Sequence, residues 1–97
     1  MAYKIAYKAY AERDIWDIVK YISEDSVSYA KRFLTMLKER IESLDKMTYR
    51  FPVIDGNMKY RKMVVGKYVV LYVVEEDTKK IIIVRVVHGM RNYQDEL

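Results

Sequence analysis

The sequence contains no cysteine, one histidine, one proline and three glycines in 97 residues. Without thiols there is no disulfide, no thiol nucleophile and no zinc–thiolate centre. A single imidazole is too thin a ligand set for a transition-metal site. Three glycines leave no material for a dinucleotide or P-loop fingerprint, and neither pattern occurs. The longest apolar stretches, Val69–Val74 and Ile81–Val84, are of strand length, far below the roughly 18 residues that cross a bilayer. Met1-Ala-Tyr-Lys-Ile5 carries no signal-peptide apolar core. What remains is 52% apolar and 33% charged, a globular balance rather than a disordered or membranous one. A chain of this length buries roughly 60–65% of its unfolded surface, enough for one core. The expectation is a single cytoplasmic domain over residues 1–97, with no cofactor, no metal and no membrane partner.

The net charge of +4 is unevenly placed. Residues 1–45 hold eight Lys/Arg and eight Asp/Glu, whereas residues 46–97 hold ten and six, so the whole surplus lies in the second half. Within 46–67 six cations (Lys46, Arg50, Lys59, Arg61, Lys62, Lys67) stand against Asp55 alone. A local field of that sign attracts a polyanion or an acidic protein segment; it is also compatible with a plain solvated surface.

Residues 2–8 alternate, with Tyr3, Ile5 and Tyr7 on one side, which predicts a half-buried strand. Ile15, Ile18, Val19 and Ile22 then form a helical stripe, with Asp14, Asp17 and Lys20 on the wet side. Ser23-Glu-Asp-Ser26 breaks the pattern and offers Asp25 and Ser26 as N-caps. Ala30, Phe33, Leu34, Leu37, Ile41 and Leu44 predict a second helix over roughly 26–46, closing an antiparallel hairpin. Pro52 and the Asp55-Gly-Asn57 turn precede three runs rich in β-branched and aromatic residues, at about 59–65, 68–75 and 80–88. The sum is an α+β fold in the order β-α-α-β-β-β, with a helical hairpin on one face of a four-stranded, mainly antiparallel sheet. The last two strands are apolar at nearly every position, so both faces are shielded. Helices cover one; the other is a concave site or an interface.

Along the last strand, strict alternation puts Ile81, Ile83, Arg85 and Val87 on one face and Ile82, Val84, Val86 and His88 on the other. Arg85 interrupts an apolar run and must meet a carboxylate, carbonyls, an anionic ligand or water. His88 ends the strand, either making one backbone hydrogen bond or moving protons, since an unperturbed imidazole titrates near about 6.5. Tyr60, Tyr68, Tyr72 and Tyr93 either stack on bases or pack the core and its rim. No serine-hydrolase arrangement is visible. The catalytic parts on offer are Arg, Lys, Tyr and His, sufficient for metal-free RNA cleavage, in which the 2′-hydroxyl is the nucleophile.

The ordered set of segments resembles the RelE/ParE superfamily of toxins from bacterial type II toxin–antitoxin (plasmid stabilisation) modules. The resemblance is carried by Tyr10-Ala-Glu-Arg-Asp-Ile-Trp-Asp-Ile-Val-Lys-Tyr-Ile22, Ala30-Lys-Arg-Phe33, Ile41-Glu-Ser-Leu44, the Pro52 turn and Tyr60-Arg-Lys62. It continues through Gly66-Lys-Tyr-Val-Val-Leu-Tyr72 to Val84-Arg-Val-Val-His-Gly-Met-Arg91. The helical segment and the His-Gly-x-Arg ending are most similar to the ParE-like branch. The resemblance implies a growth-inhibiting protein neutralised by a cognate antitoxin, with which it assembles. ParE-like members act on DNA gyrase. RelE-like members cleave mRNA in the ribosomal A site with clustered Lys/Arg and a C-terminal Tyr or His. A degenerate member would only bind its antitoxin. Residue by residue, the carry-over is Arg61, Arg85, His88 and Arg91 as the catalytic set of a nuclease, with Lys59, Lys62, Lys67 and Tyr93 as target-binding groups. Val69 stands where RelE-like nucleases carry an Arg after the strand's Tyr. Losing a phosphate contact there would remove about 2–4 kcal/mol of transition-state stabilisation, so the reading leans to the gyrase branch.

Overall fold

The computed structural model describes residues 3–90. Strand β1 (Lys4–Tyr7) leads into helices α1 (Ala9–Ser23) and α2 (Val27–Glu42), and a 3₁₀ turn follows at Ser43–Asp45. Then come strands β2 (Val53–Ile54), β3 (Asn57–Val65), β4 (Tyr68–Glu75) and β5 (Lys80–His88). The sheet order is β1-β5-β4-β3-β2. Strand β1 runs parallel to β5, and every other neighbour pair is antiparallel. The predicted α+β architecture therefore holds, with five strands rather than four. The extra one is the two-residue β2, too short to show any periodicity in sequence.

Ser26 is the N-cap of α2, its side chain accepting from the Tyr29 N–H at 3.1 Å. Between β3 and β4 the two-residue turn holds Gly66 at φ 60°, a conformation that costs a side chain but not glycine. The helical stripes meet the sheet as their spacing requires. Phe33, Leu37, Ile41 and Leu44 pack with Met63, Val65, Val70, Tyr72, Ile81, Ile83 and Val86 in one buried cluster. The Tyr72 ring is fully buried, and its hydroxyl donates to the Thr48 carbonyl at 3.1 Å. Burial pushes that phenol up to about 12.

The opposite face has a core of its own: Ile54, Val69, Leu71 and Val87, with Tyr60 packed against them. Its centre is not a bare surface, which corrects the expectation of an open second face; Leu71 is 0% exposed. Four consecutive residues, Val69 to Tyr72, are buried because alternate side chains serve the two clusters.

Strict alternation also fails in β5. Arg85 pairs with Leu71 but Ile83 pairs with Tyr72, so Val84 is the extra residue of a bulge. Beyond it Val86, not Arg85, joins the cluster under the helices. An apolar side chain thus fills the covered position, and the guanidinium escapes it.

Candidate functional site

Strand β1 flanks β5 only from Lys80 to Ile83, and β5 runs on to His88 with α1 beside it. Asp14 of α1 lies against this exposed stretch. Its carboxylate receives Arg85 Nε at 2.7 Å and Nη2 at 3.0 Å, and also the Val86 backbone N–H at 2.9 Å. Both side chains are largely buried, at 18% and 14% exposure. The Tyr10 ring lies 5.8 Å from the guanidinium carbon. Arg85 is therefore held in an internal ion pair, one of the arrangements its sequence context allowed. Asp14 was expected on the wet side of α1. It stands three residues after buried Ala11 and four before buried Ile18, so its helical position already places it towards the core.

His88 is at the other end of the same edge and is exposed. Its Nδ1 accepts the Met90 N–H at 3.1 Å. In the neutral ring that arrangement leaves the hydrogen on Nε2, a donor rather than a base. The imidazole meets the Tyr68 ring edge-on at 5.5 Å, and Tyr68 in turn packs on Phe33 at 5.4 Å. Burial raises the Tyr68 phenol above its ordinary value. A groove of about 650 Å³ opens here between the helical hairpin and the β3–β4 turn, walled by Tyr21, Tyr29, Phe33, Met36, Tyr68 and His88, with Lys67 at its rim. The backbone of the next residue is tightly seated: Gly89 N–H donates to the Lys67 carbonyl at 2.8 Å, and a Cβ on Gly89 would lie 3.2 Å from that oxygen.

Arg61 belongs to a third place. It pairs across the sheet with Tyr72. Its Nη1 donates to the Phe51 carbonyl at 2.6 Å, and its guanidinium carbon lies 5.0 Å from the centre of the Tyr49 ring. The cation ties the 47–52 segment to the sheet. Tyr49 is itself bonded to the Glu76 carboxylate, which also takes Tyr3 at 2.6 Å and Lys79 at 2.7 Å. The bonds from Lys79 and Tyr3 hold the Glu76 carboxyl below the usual carboxylate range. Lys59 lies 5.2 Å over the Tyr60 ring. Lys62 pairs with Leu71, so it projects on the opposite side of β3 from Arg61. Arg91 and Tyr93 lie outside the described residues.

Arg61, Arg85 and His88 are thus engaged with Phe51, Asp14 and Met90 respectively; Asp14 and His88 border one shallow pocket at the β5 edge, which Arg61 does not line. Among the described residues no cluster of three carboxylate or imidazole groups is placed to hold a metal, and no helix is long and apolar enough to cross a membrane.

A family model for the ParE toxin of the type II toxin–antitoxin system matches residues 5–93. The chain is similar in fold to the chromosomal ParDE system of P. aeruginosa, with a TM-score of 0.76 at 14% identity over 90% of this chain and 96% of that one. It is similar to the RelBE2 toxin–antitoxin complex of Mycobacterium tuberculosis, with a TM-score of 0.62 at 20% identity over 91% and 99%. It is likewise similar to the intact E. coli RelBE complex, with a TM-score of 0.63 at 15% identity over 93% and 100%. No curated protein matches it in sequence.

Proposed function

We infer the function from one premise, which is that the chain belongs to the ParE toxin family of type II toxin–antitoxin systems. We propose that it arrests growth by poisoning DNA gyrase and that a cognate antitoxin neutralises it. The observation that carries the choice of target is the engagement of the cations. An mRNA nuclease needs several guanidinium and ammonium groups free to meet one scissile phosphate. Here Arg85 is clamped by Asp14 and Arg61 by the Phe51 carbonyl. Val69, at the position where the nuclease branch carries an arginine, is 5% exposed and belongs to the second apolar cluster. These features favour recognition over catalysis. Neutralisation by an antitoxin is supported by the M. tuberculosis and E. coli relatives, whose structures are toxin–antitoxin complexes.

Two purified assays separate the readings. With gyrase, ATP and supercoiled plasmid, the protein is expected to trap linear, protein-linked DNA. In a reconstituted translation mixture it is expected to leave the mRNA intact. Codon-phased cuts in the message, with no trapped gyrase complex, would overturn the proposal in favour of a ribosome-dependent endoribonuclease. Inactivity in both assays, together with normal colony formation on induced expression, would make the chain an antitoxin-binding domain only.

A further inference from the structure

Helix α1 uses one side for the fold. Ala11 and Ile18 are buried, and Asp14 between them clamps β5. On the other side Trp16, the chain's only tryptophan, is 65% exposed. An indole left in water forgoes a large apolar burial, and tryptophan is enriched at the energetic centres of protein interfaces. The residues around Trp16 are arranged evenly about it. A helical residue four positions away lies about 6 Å along the axis and about 40° round the cylinder. Glu12 stands there on one side and Lys20 on the other. Two turns away, in both directions, are the small residues Ala9 and Ser23. Arg13 and Asp17 share one flank of this stripe and carry opposite charges. Glu12, Arg13, Asp17 and Lys20 are all exposed, and none of the four takes part in an ion pair among the described residues.

We propose that the Trp16 face of α1 is the seam of a symmetric homodimer, in which two copies pack their first helices antiparallel across a two-fold axis at Trp16. The axis reverses the order of residues along the second helix. It sets Lys20 of the second copy level with Glu12, Glu12 of the second copy level with Lys20, and the small Ser23 against the small Ala9. On the flank it brings Asp17 of the second copy beside Arg13. Every charge on the stripe then meets its opposite, and the two indoles cover each other at the centre. A surface that meets itself has to be its own charge complement, whereas a surface that meets a different protein has no such requirement. That self-complementarity is what selects a second copy as the occupant. Two such helix faces fall short of the roughly 1,200 Å² of a stable interface, so the pair is weak and forms as concentration rises. The inference is independent of which cellular target the toxin has.

The test is sedimentation equilibrium of the full chain from micromolar to millimolar concentration at low salt, with tryptophan emission read on the same samples. The mass is expected to rise from monomer to dimer while the Trp16 emission moves to shorter wavelength. Trp16→Ala should keep the fold, judged by its melting temperature, and stay monomeric throughout. Glu12→Lys and Lys20→Glu each set like charges level with one another, and each should weaken the dimer at least tenfold. Mixed in equal amounts, these two variants should associate about as well as the wild type, because each then carries the charge the other lacks. The proposal is overturned by any of four results: a wild type that is monomeric up to millimolar concentration, a dimer whose Trp16 emission does not move, single charge variants that dimerise as the wild type does, or a mixture that associates no better than its components.

Discussion

At the scale of single residues, two polar groups hold the structure from inside. Tyr72 is buried and donates to the Thr48 carbonyl. Tyr72→Phe should therefore cost about 1 kcal/mol at neutral pH, read from urea unfolding. Its pH dependence carries a sign. The folded-state phenol lies at about 12, above the ordinary phenol value of 10.0, so its contribution is complete below pH 10 and is lost as pH rises from there towards 12. The wild type should lose stability over that window at up to about 1.4 kcal/mol per pH unit from this group. The Phe variant lacks that loss, so the gap between the two should close. Asp14 is the second such group. Asp14→Ala leaves Arg85 and the Val86 N–H without their carboxylate and should cost about 2–3 kcal/mol. Asp17→Ala, at an exposed position, should change stability by no more than about 0.5 kcal/mol. Equal effects of the two substitutions would contradict the role given to Asp14. Arg85 announced in sequence that it needed a partner, whether carboxylate, carbonyl, anionic ligand or water. It did not announce which one, because Asp14 lies 71 positions away and only the fold brings them together.

At the scale of elements, the apolar periods located both helices and the last two strands, whose bounds of 68–75 and 80–88 are those observed. They did so because long amphipathic stripes and unbroken β-branched runs are set by burial alone. What stayed hidden was short or irregular. Two-residue β2 has no period, and the bulge at Val84 has no signature in a run where each neighbour is apolar. The candidate site fared worse than the fold for that reason. Arg61, Arg85 and His88 were legible as unusual residues, but their partners are a backbone carbonyl, a distant carboxylate and a backbone N–H. The bulge is testable directly. Deleting Val84 removes the extra residue, so Ile83 and Arg85 become neighbours opposite Tyr72 and Leu71, and Ile81, Ile83 and Val86 keep the covered face. The variant should retain a cooperative transition by near-ultraviolet dichroism, as should Val84→Ala, and a molten deletion variant would contradict Val84 as the extra residue. At the other end of the hairpin, Ser26→Ala removes the cap of α2 and should cost about 1 kcal/mol in the same unfolding assay.

At the scale of the whole molecule, two of the cations expected to do chemistry, Arg61 and Arg85, are held within the fold by the Phe51 carbonyl and Asp14. The proposed gyrase target predicts that replication fails first. On induced expression, thymidine incorporation is expected to fall before methionine incorporation does, and the reverse order would point to the ribosome. One further property follows from the place of β1. The first strand of the chain lies in parallel register beside the last, Lys4 against Lys80 through Tyr7 against Ile83. A ribosome therefore releases at least the first 80 residues before β1 has its neighbour to zip onto. Nascent chains stalled short of residue 80 should stay protease-sensitive, and the hazard to the producing cell begins only after the final strand is made, which gives a co-translated inhibitor time to be present when the poison is born.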